Sequence, residues 1–85
     1  MKVKVWTVFT TEVELTDVDI TFILLYAEVN KEYFKERNEL NNFQRILDDA
    51  MMYLHLTSAK YDMDYNEIQD WWFEEHKDIV KTFCF

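Results

Sequence analysis

Carboxylates recur at helical spacing near the C-terminal end of the chain. Seven acids and a single base, Lys77, lie in the segment from Asp62 to Asp78. On a helix, residues three or four apart share one face and lie about 5 to 6 Å from each other. Phosphates along a nucleic-acid strand have a similar separation, so such a row suits a basic groove that binds DNA or RNA. The four acids at intervals of three, four and four are Glu67, Asp70, Glu74 and Asp78.

A solvated face is the alternative interpretation of the same acids. An acidic surface keeps an aromatic-rich protein soluble without any partner. Like charges on one face repel each other by about a few tenths of a kcal/mol per pair, and no basic row accompanies these acids. The sequence leaves both interpretations open.

Three large rings follow one another at Trp71, Trp72 and Phe73. Consecutive helical residues project about 100° apart, so at least one ring should be exposed or covered by a neighbour. Tryptophan inside an acidic rim is typical of an interface, although the core of a small domain can bury two of the rings. The predicted partner-binding residues are Asp62, Asp64, Glu67, Asp70, Trp71, Glu74, Glu75 and Asp78.

His55 and His76 are the candidate general bases, because imidazole titrates near neutral pH. Neither has a credible nucleophile in its sequence neighbourhood. The chain contains no glycine, and so it lacks the glycine-rich loop with which many nucleotide-handling enzymes hold phosphate. The sequence therefore predicts a protein that is not an enzyme and that uses no cofactor.

A partial calcium-loop pattern occurs at Asp62, Asp64 and Asn66, which match the first three ligand positions. The pattern fails at Glu67, where the loop needs glycine, and at Phe73, where a bidentate glutamate should close the site. Helix capping explains these residues better. We expect no metal site.

Length and composition predict a single compact domain over residues 1–85. The chain is 49% hydrophobic and 18% aromatic, which is enough apolar area for a small core. Seventeen acids against nine bases give a net charge of −8, which repels nucleic acid and favours a partner with a basic surface. No apolar run has membrane-spanning length, no secretion signal is evident, and the one cysteine is Cys84. We therefore expect a cytoplasmic protein that does not contact a membrane.

The stretch Val18–Val29 is the predicted central helix, because apolar residues recur at intervals of three and four. The motif Thr16-x-x-Asp19 predicts a start near Asp17, and a polar tail is expected to continue the helix to Arg37. A buried strand over Ile20–Tyr26 is the alternative, since β-branched and aromatic residues also suit strands. The expected buried side comprises Val18, Phe22, Leu25, Tyr26, Val29 and Tyr33.

Two further helices are predicted. One follows the polar break Asn38–Asn42, where asparagine tolerates the left-handed conformation that ends a helix, and runs to about Ala59. The other begins at the capping spacing Asp64-x-x-Glu67 and runs to about Lys81. The expected buried residues of the first are Leu40, Phe43, Ile46, Leu47, Ala50, Met51 and Leu54, and those of the second are Ile68, Trp72, Ile79 and Phe83, with Trp71 or Val80 beside them.

Alternating residues over Lys2–Phe9 and Glu12–Leu15 predict a hairpin. The predicted fold class of the chain is then α+β, with an N-terminal two-stranded β-hairpin packed on about three α-helices. An unpaired strand edge would be a candidate contact for a dimer or a target. Two registers remain open, which turn toward the core either Trp6, Val8, Val13 and Leu15 or Val3, Val5, Val13 and Leu15.

Two segments, Met1–Val5 and Tyr26–Lys31, resemble the Dmd-type antitoxins, a family of small T-even phage proteins that oppose a host RNase toxin and open with a hairpin followed by a helix. The resemblance covers about the first third of the chain and assigns no functional residue. It implies a class, the small acidic counter-defence or host-takeover proteins of T-even phages, which neutralise host enzymes by binding them.

The leading functional hypothesis is a non-enzymatic phage-type inhibitor. It would bind a basic, nucleic-acid-handling host protein, such as an RNase toxin or another defence enzyme, in the host cytoplasm, and no direct contact with nucleic acid is expected. The alternative is a structural or assembly protein that forms a homodimer or larger oligomer through the hairpin edge or exposed tryptophans.

Overall fold

A computed structural model describes residues 2–6 and 10–83 of the chain. An antiparallel hairpin comes first and helices follow, in a mostly helical α+β arrangement. The hairpin consists of β1 (Lys2–Trp6) and β2 (Thr10–Glu14). The helices are α1 (Asp17–Val29), α2 (Lys31–Glu36), α3 (Phe43–Tyr61), α4 (Tyr65–Glu75) and α5 (Lys77–Phe83).

The prediction of about three helices is wrong, because the described residues form five. Two predicted helices are interrupted, one at Asn30 and the other at His76. At each break a side chain bonds the carbonyl four residues earlier: Asn30 Nδ2 donates to Tyr26 at 2.9 Å, and His76 Nδ1 donates to Trp72 at 2.9 Å. A side chain that competes for backbone groups in this way favours the end of a helix.

The start of α1 confirms the predicted capping motif. The Thr16 hydroxyl accepts from the backbone N–H of Asp19 at 3.1 Å, and the Asp19 carboxylate accepts from the backbone N–H of Thr16 at 3.0 Å. Two backbone donors that a helix start leaves unpaired are thereby satisfied. The first helical residue is Asp17, as predicted, and the strand alternative over 20–26 is wrong.

The hairpin adopts the second of the two predicted registers. Val3 pairs with Val13, both pack against the core cluster, and Val5 is buried. On the other face Lys2 lies opposite Glu14 and Lys4 opposite Glu12, an arrangement of opposite charges that favours this register. Helix α3 holds β1 in place, since Gln44 Nε2 donates to the carbonyl of Lys4 at 2.9 Å. Val8 and Phe9 lie outside the described residues.

The core forms where α1, α3 and α4 meet beneath the hairpin. Phe22 is fully buried there, and its ring contacts those of Tyr26, Tyr53, Trp72 and Phe73. The rings offset the small size of the chain, because aromatic side chains bury a large area per residue. The buried residues of this core cluster are Leu15, Phe22, Ile23, Leu25, Phe34, Ile46, Leu47, Ala50, Leu54, Ile68 and Trp72.

Four residues expected in the core are exposed instead, namely Val18, Tyr33, Leu40 and Phe43. Val18 lies in the first turn of α1, and Leu40 and Phe43 lie before or at the start of α3. The break at Asn30 changes the face that follows it, so that Phe34 is buried in place of Tyr33. The side chain of Phe83 lies outside the described residues.

No helix within residues 2–6 and 10–83 is long and apolar enough to cross a lipid bilayer.

Two neighbouring positions of α1 test the importance of the aromatic core. Phe22→Ala should lower the free energy of unfolding by about 3–5 kcal/mol, because it leaves a cavity among four rings. Leu24→Ala is the matched control on the same helix, since Leu24 is 59% exposed. This substitution should change the free energy of unfolding by less than about 0.5 kcal/mol. Urea denaturation followed by circular dichroism measures both, and equal losses would contradict this description of the core.

Candidate functional site

The buried side of α4 determines which of its residues reach the surface. Ile68, Gln69 and Trp72 are all buried. Gln69 is a buried polar residue, and its Nε2 donates to Asp19 Oδ1 at 2.8 Å. Because Asp19 also closes the capping motif of α1, this hydrogen bond ties the rotation of α4 to the start of α1.

All eight predicted partner-binding residues are exposed. Trp71 is 49% exposed, whereas the adjacent Trp72 is 3% exposed and Phe73 is half-buried, in agreement with the expectation that the three rings do not share one environment. Five of the eight lie on α4, two precede it and one follows it. We call this set the acidic surface: Asp62, Asp64, Glu67, Asp70, Trp71, Glu74, Glu75 and Asp78.

The two acids before α4 shape the turn between α3 and α4. Asp62 ends α3 in the left-handed conformation, with φ 54° and ψ 48°. Aspartate tolerates this conformation better than most residues, which matters in a chain without glycine. Asp64 caps α4, since its Oδ1 accepts from the backbone N–H of Glu67 at 2.8 Å. The capping interpretation of this segment is therefore confirmed for Asp64.

Glu67 experiences the crowding of negative charge directly. The neighbouring carboxylate of Asp64 raises the pKa of the Glu67 carboxyl, first by charge repulsion and then by a hydrogen bond that favours the protonated form. A different environment surrounds Glu39, between α2 and α3, which accepts from Arg45 at 2.6 Å and from Arg37 at 3.1 Å. The two guanidinium groups lower the pKa of Glu39.

The predicted row of four carboxylates on one helix is wrong in one respect. Glu67, Asp70 and Glu74 lie on α4 at intervals of three and four, but the break at His76 places Asp78 on α5. The continuous row therefore consists of three acids. His76 stacks on the Trp72 ring with centroids 4.2 Å apart, so the same residue that ends the row also covers the edge of the core.

Basic side chains are scarce beside these acids. Within the described residues, the ion pair of the acidic surface joins Lys77 Nζ to Glu74 Oε1 at 3.9 Å, and both side chains are well exposed. An exposed pair at this distance is worth little because water and salt screen it. The surface consequently keeps most of its negative charge.

An apolar groove adjoins the acidic surface and was not predicted. It lies between the end of α3 and α4, has a volume of about 220 Å³, and is lined by Thr57, Tyr61, Met63, Ile68 and Trp71. Tyr61 is 57% exposed. No sequence pattern indicates this groove beyond the apolar residues around the turn, because its lining comes from two helices and the turn between them, and the packing of those helices is set by distant contacts.

The histidines take part in structural contacts. His55 Nδ1 lies 3.4 Å from the Tyr65 hydroxyl, and His76 Nδ1 donates to the Trp72 carbonyl. No group of three or more His, Cys, Asp or Glu side chains suited to a metal ion occurs in the described part of the chain.

Comparisons of this chain with family models, with curated proteins and with solved structures found no match. Its function is therefore inferred from the charge and shape of the acidic surface and the groove beside it.

The crowding at the start of α4 gives a pH-dependent prediction. A raised native pKa means that native Glu67 keeps its proton to higher pH than the unfolded chain does, so this group favours the native state below the raised pKa and loses that contribution as the pH rises through it. Asp64→Asn removes the repelling charge but keeps a good helix cap. The pKa of Glu67, followed by ¹³C NMR of its carboxyl, should then fall, and an unchanged value would exclude Asp64 as the cause.

Proposed function

We propose that this protein is a non-enzymatic inhibitor that binds a basic, nucleic-acid-handling host protein through the acidic surface. The observation that carries the proposal is that seven acids of one short segment are all exposed, beside an exposed tryptophan, with one weak ion pair among them in the described residues. The proposal includes a phage-type, counter-defence role similar to that of an antitoxin, exercised in the host cytoplasm.

Spacing supports mimicry of a nucleic-acid backbone. Neighbouring carboxylates at intervals of three and four on α4 lie about 5 to 6 Å apart, close to the separation of phosphates along a strand. A groove that neutralises phosphates with Lys and Arg side chains can therefore neutralise Glu67, Asp70 and Glu74 in a row. Asp78, on α5, extends the negative surface beyond the end of α4.

Segregation of charge supports the same proposal. The bases of the chain lie mainly on other elements, and Arg37 and Arg45 are already paired with Glu39. The negative field of the acidic surface is thus weakly opposed within the molecule. Such a field accelerates association with a basic partner and weakens as ionic strength rises.

Charge reversal tests the surface against a matched control. The double variant Asp70→Lys, Glu74→Lys changes the net charge by four, as does Glu32→Lys, Glu36→Lys on α2, where both residues are also exposed. Each immobilised protein is used to capture host proteins from a bacterial lysate at low and at high salt. The α4 variant should lose at least about a hundredfold in affinity for the captured protein, because close charge pairs at interfaces contribute about 1.5 kcal/mol or more each.

The control variant should still capture the partner. Added duplex RNA or DNA should displace the captured partner from the immobilised protein. Circular dichroism establishes that both variants fold. Equal binding by the two variants, or capture that nucleic acid does not displace, would remove the electrostatic basis of the proposal.

Assembly remains the second candidate, because the exposure of Trp71 suits a self-association surface as well as a partner surface. Light scattering separates the two functions. An inhibitor of this type should be a monomer of 10.5 kDa at all salt concentrations. An oligomer that persists in high salt and dissociates on Trp71→Ala would favour assembly.

A further inference from the structure

The groove beside the acidic surface has the size of a single side chain. Its volume is about 220 Å³, below the range of about 300 to 1,000 Å³ that is typical of small-molecule sites. Ile68 is fully buried and Met63 half-buried, whereas the rings of Tyr61 and Trp71 remain exposed. Exposed aromatic rings that line a concavity are typical of the places where one side chain of a partner protein inserts.

Charges around the groove indicate which side chain fits. On α4, Glu67 precedes Trp71 by four residues, while Glu74 and Glu75 follow it by three and four, so all of these carboxylates are helical neighbours of the Trp71 ring. A purely apolar side chain would remove water from these carboxylates without pairing them, which is unfavourable. A cationic side chain pairs with them.

Tyr61 already contacts a cation within the chain. Lys60 Nζ lies 5.2 Å from the centre of the Tyr61 ring, which is within the range of a cation–π contact. This side of the groove is therefore compatible with positive charge. Lys60 is also a basic group that would repel an incoming cation.

We propose that the groove binds an arginine side chain of the basic partner. The hydrocarbon stem lies along Met63 and Ile68, the planar guanidinium stacks on Trp71, and its N–H groups donate to the carboxylates of Glu67 and Glu74. Arginine fits better than lysine because its guanidinium is flat, less strongly hydrated and able to donate to two carboxylates at once. This inference rests on the proposed function, since it identifies one contact of the same surface.

Three capped nonapeptides test the inference separately from general electrostatic attraction. Each alternates lysine with alanine, except that the central basic position holds arginine, lysine or leucine. NMR titration of the wild-type protein at low ionic strength should give an affinity for the arginine peptide about fivefold higher than for the lysine peptide, although the two carry the same charge. The leucine peptide should bind more weakly than both.

Two variants locate the effect in the groove. Trp71→Ala should abolish the preference for arginine, so that the arginine and lysine peptides bind with equal affinity, and Lys60→Ala should raise the affinity for both. Trp71 is half exposed, so its variant should fold, which circular dichroism checks.

The inference is overturned by equal affinities for the arginine and lysine peptides, by a preference that survives Trp71→Ala, or by tightest binding of the leucine peptide. Equal affinities combined with loss of binding in Asp70→Lys, Glu74→Lys would leave the proposed function standing. Equal affinities combined with unchanged binding by Asp70→Lys, Glu74→Lys would remove both this inference and the proposed function.

Discussion

The edge-to-face contact between Phe22 and Trp72 is the interaction on which the rest of the structure depends. Their ring centroids lie 5.1 Å apart at an interplanar angle of 78°, and both side chains are buried. A chain of 85 residues has a small core, so a few large rings must supply much of the buried area. With Trp72 held against α1, the rotation of α4 about its own axis is fixed. Gln69 reinforces that rotation through its hydrogen bond to Asp19.

The fixed rotation of α4 also determines the candidate site. Since consecutive residues project about 100° apart, burial of Trp72 turns Trp71 toward solvent. The acids at intervals of three and four from one another occupy the same outer side. The packing that stabilises the fold and the exposure that creates the surface are therefore two consequences of one arrangement, and a change that rotated α4 would disturb both.

Local signals in the sequence were sufficient for some of these features. The cap of α1 at Thr16 and that of α4 at Asp64 depend on residues three apart, and both were predictable. The same holds for Asn38, which adopts a left-handed conformation with φ 57° in the predicted break. Alternation narrowed the hairpin to two registers, and the observed one places Val3 opposite Val13 and lysines opposite glutamates.

Other features depend on contacts that no local pattern encodes. The breaks at Asn30 and His76 lack glycine and proline, which are the usual signals, and arise from side chains that bond backbone carbonyls. The pairing of Gln69 with Asp19 spans fifty residues of sequence. The groove requires Tyr61 from α3 and Trp71 from α4 to lie side by side, which depends on how these helices pack.

The acidic surface has an energetic cost that clarifies its role. Repulsion between Asp64 and Glu67 is strong enough to raise the pKa of Glu67, whereas arginines lower the pKa of Glu39 elsewhere in the molecule. A basic partner would supply opposite charge that, among the described residues, the weak pair of Lys77 with Glu74 provides only in small part. Part of the binding free energy would then come from relief of repulsion already present in the free protein, and salt, which screens that repulsion, would weaken the attraction as well. The same carboxylates that slightly destabilise the isolated chain would therefore favour a complex with a basic surface.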